Sequence, residues 1–485
     1  EAEIRHILPA ERIDMILDNI GLPNGGFNLG FGNNATISNS DGDILISLKP
    51  GKKETLEFTR QLRQNLQQKF PQEVFFFTPA NMTNQILNFG LPAPIDLQVV
   101  GRNPTQNYQI ALDLLHKVAA IPGAVDVHIH QEIAYPTVQV NVDRAKAQQI
   151  GLQQKDVANT MLISLSGSGQ TAPNQWLNPE NGVNYQVVTQ APQYRIDSFD
   201  ALQRIPVTAS SGTNSQLLAN LATLKRDASA IVIDHYNIQP TYDIYADVDR
   251  RDLGGVAEEI HKLIRQEKKL PGGTFIDLRG EVATMEQSFN RLFLGIGFAV
   301  IIVYLLMAVN FQSWLDPFII LMALPGAFSG ILWMLYLTQT TFSVPSLMGS
   351  IMTIGVATAN SILLVVFAND HRAMKDDPLD AALEAGFTRL RPVLMTALAM
   401  IIGMLPMALA FGEGGEQNAP LGRAVIGGLL VATVSTLFVV PIFYSMLRKR
   451  APINYDEKID KEYKGEITPS GKPVNKNGEP RPQES

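Results

Sequence analysis

Residues 316–370 read DPFIILMALPGAFSGILWMLYLTQTTFSVPSLMGSIMTIGVATANSILLVVFAND, and nothing between Asp316 and Asp370 carries a charge. A helix that crosses a bilayer needs about 20 apolar residues, so this stretch holds two spans, divided by the turn residues TQTTFSVP at 338–345. The run between Arg291 and Asp316 is likewise uncharged, and 392–412 and 424–447 supply two more. Their breaks, NFQSWLDP at 310–317 and FGEGGEQNAPLGR at 411–423, are rich in turn formers. The pattern predicts five spanning helices near 290–309, 316–337, 344–368, 392–411 and 422–447.

Lys and Arg set the orientation, because basic loops stay in the cytoplasm. The loop 369–391 carries Arg372, Lys375, Arg389 and Arg391, and the tail opens with Arg448, Lys449 and Arg450. The loops on the other side, near 338–343 and 412–423, hold only Arg423. An odd number of spans then puts residues 1–289 outside, in the periplasm of a Gram-negative cell, and the polar tail 448–485 inside. From about Tyr455 the tail has almost no apolar residue to offset the entropy of ordering and reads as disordered.

Within the spans, Gly326 with Gly330 and Gly355 with Ala359 are small pairs that let helices approach. Thr353, Thr358, Asn360 and Ser361 form a polar run at mid-membrane depth. Such groups face a bundle interior or a hydrated path, and helix–helix adhesion and an ion path both fit the spacing.

The remaining composition narrows the function classes. The 485 residues allow two or three domains, and 18% are charged. A net charge of −7 points away from nucleic acid, and the absence of cysteine excludes disulfides and thiolate metal sites. The chain opens on Glu1 with no basic start or apolar run, so we expect an N-terminal part to precede it.

Residues 1–289 repeat a strand–helix–strand pattern three times: 43–50, 53–70 and 74–78; 94–101, 105–120 and 125–131; 241–248, 253–269 and 274–279. Alternation of this kind predicts split βαβ units of ferredoxin-like form. The Ser-, Thr-, Asn- and Gln-rich stretch 166–240 reads as an insertion between the second and third units.

No enzyme signature stands out. GGFNLGFG at 25–32 is glycine-rich but precedes no helix start, so it reads as a mobile flap rather than a phosphate loop. His128 and His130 alternate on one strand face without a third metal ligand nearby, and the other histidines are scattered. No metal site, catalytic residue or cofactor is expected. Phe75 and Phe77 share one side of an extended segment, where they either join a core or wall a ligand cleft.

Four stretches carry a resemblance: TIGVATANSILLVVFAND (353–370), EAGFTRLRPVLMTALAMIIGMLP (384–406), FQSWLDPF (311–318) and VDRAKAQQIGL (142–152). They look like the C-terminal half of resistance-nodulation-division efflux pumps, most like the hydrophobic and amphiphilic multidrug branch. The heavy-metal branch lines its cleft with methionines, of which only Met82 lies near Phe77 here. The resemblance implies a membrane α-helical bundle plus α+β periplasmic porter subdomains with an inserted docking subdomain. It divides the chain at 1–92, one porter subdomain; 93–164 with 239–289, a second; 165–238, the docking insertion; 290–447, the transmembrane domain; and 448–485, the tail.

It further implies a homotrimer joined to a periplasmic adaptor and an outer-membrane channel, in contact with membrane lipids. Phe27 and Phe31 fall on its flexible switch loop, and Phe75 and Phe77 on its pocket aromatics. Arg389 and Thr396 match residues of its proton path, which Asn360 and Thr358 adjoin, while Ala359 stands where the family has a lysine. The reading is a proton-driven exporter of amphiphilic small molecules, a secondary transporter of the inner membrane and no enzyme. The alternatives are a lipid or metal exporter of the same superfamily, or a membrane-anchored periplasmic ligand sensor.

Overall fold

Helix α2 (Thr55–Lys69) shows how the head is built. Phe58, Leu62 and Leu66 recur every fourth residue and so form one stripe. The stripe packs on α1 (Ala2–Ile7) and on the antiparallel hairpin of β1 (Ile13–Ile20) and β2 (Gly42–Leu48), burying Ile4, Leu8 and Ile13. This is a computed structural model; it describes residues 1–21, 36–49, 55–78, 88, 90–169, 171–208, 215–267, 270–374, 377–411 and 415–449. The chain divides into two units, Glu1–Thr284 and Met285–Ser485.

Further along the first unit come β3 (Ile95–Val100), α3 (Pro104–Ala119) and β4 (Ala124–Ile129). Asn103 starts α3 by accepting from the Gln106 amide, with Pro104 in the first turn where no amide donor is needed. Next are β5 (Tyr135–Val142), α4 (Arg144–Gln149), α5 (Gln154–Ser166), the exposed hairpin β6 (Asn174–Leu177) and β7 (Asn184–Val187), and α6 (Phe199–Gln203). The short elements β8 (Pro206–Thr208), β9 (Ser215–Leu217) and α7 (Leu218–Leu221) lead to β10 (Ala222–Ser229), which pairs with β5. Ala147, Leu152 and Val157 share a buried cluster with Val207, Leu218 and Leu221. Packing therefore crosses the division expected at 164/165, because β5 finds its hydrogen-bonding partner in β10 rather than in the first sheet.

The chain then returns through β11 (Asp234–Tyr236), β12 (Gln239–Val248), α8 (Leu253–Gln266) and β13 (Phe275–Gly280). β12 inserts beside β3, and β4 and β11 share its other edge; β13 closes the far edge of β3, and every pair is antiparallel. β3 and β4 consequently run parallel with β12 between them. Ile95, Leu97, Val99, Ile244 and Ala246 face the stripes of α3 (Leu114, Val118) and α8 (Val256, Ile260). The opposite face of this sheet is polar.

One expected strand is corrected. Residues 74–78 belong to no strand. Their residue types suit a strand, but strand formation requires a partner, and β1 and β2 pair only with each other.

The second unit carries the apolar helices: α9 (Glu281–Phe311, which starts in the first unit), α10 (Leu315–Leu321), α11 (Leu324–Leu337), α12 (Val344–Met374), α13 (Pro378–Ala408), α14 (Gly415–Val434) and α15 (Val440–Leu447). α10 runs into α11, and a π-helical turn at Ser435–Val439 joins α14 to α15, so five helices among the described residues are long and apolar enough to cross a membrane. Glycine permits their contacts. A side chain at Gly330 would strike the Gly427 carbonyl, and one at Gly427 would strike Met334. The Gly326/Gly330 pair is thus a packing surface. Gly355, with nothing within 4 Å of an added Cβ, is not one in this chain.

Candidate functional site

The polar run on α12 separates into two kinds of residue. Thr353 and Thr358 turn their hydroxyls back onto their own helix, donating to the carbonyls of Gly349 (2.9 Å) and Ile354 (2.8 Å). Ser361 meets Thr436 at 3.2 Å in a buried contact between helices. These three are adhesion or self-satisfied groups. Asn360 is half-buried, and among the described residues its side chain makes no hydrogen bond. Thr358 lies about 200° around the helix from it and is buried, so the two do not share a face.

On α13, Arg389 is half-buried with its guanidinium carbon 5.0 Å from the centre of the Phe367 ring. Its Nε is buried without a hydrogen-bond partner, and among the described residues no carboxylate pairs with it. Arg391, by contrast, is exposed. The Arg389–Phe367 contact fixes the register of two neighbouring helices. Thr396 lies seven residues beyond Arg389 and Asn360 seven residues before Phe367. Seven residues are about two turns and 10.5 Å of rise, and consecutive helices with a short link run antiparallel. Asn360 and Thr396 therefore occupy the same level, two turns away from Arg389. Thr396 donates to Val393 at 3.0 Å, and no hydrogen bond joins Asn360, Thr396 and Arg389 to one another.

A buried cluster at the basic end of the bundle escaped the sequence reading. Asp316, 1% exposed, pairs with Arg448 at 3.2 Å and accepts from Asn369 at 3.5 Å. The Tyr444 hydroxyl donates to Asn369 at 2.7 Å. Arg372, 3% exposed, donates to the carbonyls of Arg448 and Lys449, just past the end of α15. The cluster binds α10, α12 and α15 together. Its signal was available: Asp316 is a lone charge between two uncharged runs, and such a charge needs a partner.

In the head, Phe75 and Phe77 lie against the Ile4–Leu66 cluster, and Phe76 stacks on His128 at 4.3 Å. Phe77 is held twice: the Arg63 guanidinium sits 5.1 Å from its ring centre, and its amide donates to Asp126 at 3.2 Å. Asp126, in left-handed backbone at φ 54°, grips Arg63 through both oxygens at 2.7 and 2.8 Å. Burial alone would lower the Arg63 pKa, but the Asp126 bond and the charges of Asp126 and Asp247 outweigh it and hold it above the usual arginine range. Burial is also the main force that pushes Asp247 above the carboxylate range. Phe27 and Phe31 lie outside the described residues.

His128 and His130 both lean on Tyr245, with ring centres 5.8 and 5.1 Å away, and burial depresses both imidazoles. The His128 Nδ1 donates to the Asp126 carbonyl at 2.8 Å. Among the described residues no three His, Cys, Asp or Glu side chains could share a metal ion.

The profile of the AcrB/AcrD/AcrF family matches residues 24–448. The cobalt-zinc-cadmium resistance protein CzcA of Cupriavidus metallidurans is 27% identical over 420 residues, covering 85% of this chain and 39% of that protein. The nickel-cobalt-cadmium resistance protein NccA of Alcaligenes xylosoxydans xylosoxydans is 29% identical over 378 residues, covering 77% and 34%. The swarming motility protein SwrC of Bacillus subtilis is 32% identical over 320 residues, covering 65% and 30%. A crystal structure of a heavy metal efflux pump superposes with a TM-score of 0.71 at 25% identity, covering 92% of this chain and 44% of that one. The chain thus spans less than half the length of the relatives it matches.

Proposed function

The chain belongs to the AcrB/AcrD/AcrF family, and from that premise we propose that it forms the C-terminal half of a proton-driven inner-membrane exporter of heavy-metal cations. Arg389 carries the transport reading. A guanidinium half-buried in a spanning helix, with no carboxylate paired to it among the described residues, calls for an acidic partner elsewhere. An anchored sensor has no use for such a charge. In this reading Arg389, Asn360 and Thr396 line a hydrated path, and Thr358 supports the helix behind it.

The head is the periplasmic porter, built of split βαβ units with a docking insertion. The assembly is a homotrimer that engages an adaptor and an outer-membrane channel. Cargo class follows the relatives, whose names include resistance to cobalt, zinc, cadmium and nickel. That shifts the reading from amphiphiles to the metal alternative.

The amphiphile reading keeps one specific support. The Phe75–Phe77 segment offers aromatic surface, and the described residues hold no three-ligand metal group. Everted vesicles containing the full-length protein decide between the two. A pH gradient should drive uptake of zinc, cobalt or cadmium and leave a dye-like amphiphile outside. Dye uptake without metal uptake would restore the amphiphile reading, and uptake of neither would remove the exporter proposal.

A further inference from the structure

The polar face of the head sheet is as withdrawn from solvent as its apolar face. Asp96 and Gln98 on β3, and Thr241 and Asp243 on β12, are each no more than 6% exposed. Strand alternation turns all four to the same side, and the register sets Asp243 directly across from Gln98. Three of their seven side-chain nitrogen and oxygen atoms are hydrogen-bonded. Gln98 donates to Asp96 Oδ2 at 3.2 Å, and Gln131 donates to Asp243 Oδ2 at 2.6 Å. Four oxygens remain buried without a partner: Asp96 Oδ1, Asp243 Oδ1, Gln98 Oε1 and Thr241 Oγ1. Unsatisfied buried oxygens are costly, and four at adjacent register positions are not scattered packing faults.

Positive charge is short on this face. Arg279 on β13 sits across from Asp96, but it donates to Asp277 at 3.1 Å and stacks over Tyr236 at 3.9 Å. Burial lowers the pKa of His128 on β4 and of His130 just past its end. Asp234 on β11 adds a further carboxylate, shared through Gln131 at 2.6 Å.

We infer that Asp96, Gln98, Thr241 and Asp243 form a binding site for a divalent cation, with the two carboxylates balancing its charge. The four unpartnered oxygens suit Mg²⁺, Mn²⁺ or Ca²⁺, and the buried, unpartnered His128 Nε2 lies on the neighbouring strand. Burial and the neighbouring Asp243 charge push Asp96 well above the carboxylate range, and burial raises Asp243 to about 6. The site stands on the sheet alone and not on the cargo reading. A resident ion and a passing one would use the same oxygens.

The test is a Mn²⁺ titration of purified, EDTA-stripped full-length protein, read by electron paramagnetic resonance. One Mn²⁺ per chain should bind at pH 7.5. Asp96→Asn, Asp243→Asn and the near-isosteric Thr241→Val should each weaken binding, while Asp113→Asn, on the exposed side of α3 across the sheet, should not. Thermal unfolding in EDTA, with the Asn variants melting no lower than the parent, guards against misfolding. No bound Mn²⁺ in the parent, or parental affinity in both Asn variants, overturns the site and leaves a proton-sharing pair. Loss of metal uptake by Asp96→Asn vesicles would mark a station for cargo and retained uptake a resident ion; both support the site.

Discussion

Arg389 and Arg391 bear the same charge two residues apart, yet only Arg389 rests on a ring and leaves a buried nitrogen unpartnered. A cation–π contact of this kind contributes about 0.5–2 kcal/mol, too little by itself to justify holding a guanidinium there. Arg389→Ala should lower proton-driven uptake in everted vesicles tenfold or more with normal insertion. Arg391→Ala should stay within about twofold; equal effects would make both ordinary anchors. Asp243 gives the residue scale a pH dependence. Its pKa is 3.8 when unfolded and about 6 when folded. The folded protein holds the extra proton between those values, so this contribution to stability is present below 3.8 and lost as pH rises through 6. In EDTA, Asp243→Asn should raise the melting temperature at pH 8 and leave it nearly unchanged at pH 4.

At the scale of elements, the contact between α11 and α14 depends on absent side chains. Val at Gly330 or Gly427 meets backbone or a Cβ that cannot move aside, whereas Ala at Gly355 meets nothing. Overpacking typically costs 1–3 kcal/mol. Gly427→Val should therefore lower the melting temperature and the yield of monodisperse protein, with Gly355→Ala unaffected. The same elements show what the sequence could reveal. Spans were found because uncharged length is a direct property of the residues. Their ends were not: α13 starts at Pro378 rather than near 392, since Asp377 caps it and its charged first turns are good helix formers outside any apolar run. The 74–78 strand failed for the opposite reason, because propensity is local and pairing is not. Phe75 and Phe77 were rightly placed on one side, while their contact with the Ile4–Leu66 cluster depends on residues that only the fold brings near. Asn360, Arg389 and Thr396 came from a resemblance, and the register that levels Asn360 with Thr396 needed the Arg389–Phe367 contact.

For the whole molecule, orientation is the property most open to a direct check. The chain has no cysteine, so single cysteines report without background. Asn181→Cys on the exposed hairpin connection and Asp380→Cys in the first turn of α13 should react with an impermeant thiol reagent from opposite sides of sealed cells. Reaction of both from one side would reject the topology. The Asp316–Arg448 and Arg372–carbonyl contacts carry a consequence for biogenesis. Asp316 and Arg372 leave the ribosome long before Arg448, and a buried charge without its partner is costly. The nascent bundle stays electrostatically incomplete until its final helix arrives and supplies both the guanidinium for Asp316 and the carbonyls for Arg372. A chain stopped at Leu447 should be cleared by membrane proteases in a pulse-chase, while one stopped at Tyr455 persists. The two residues that follow the last helix, Arg448 and Lys449, thus act as the bundle's certificate of completed synthesis.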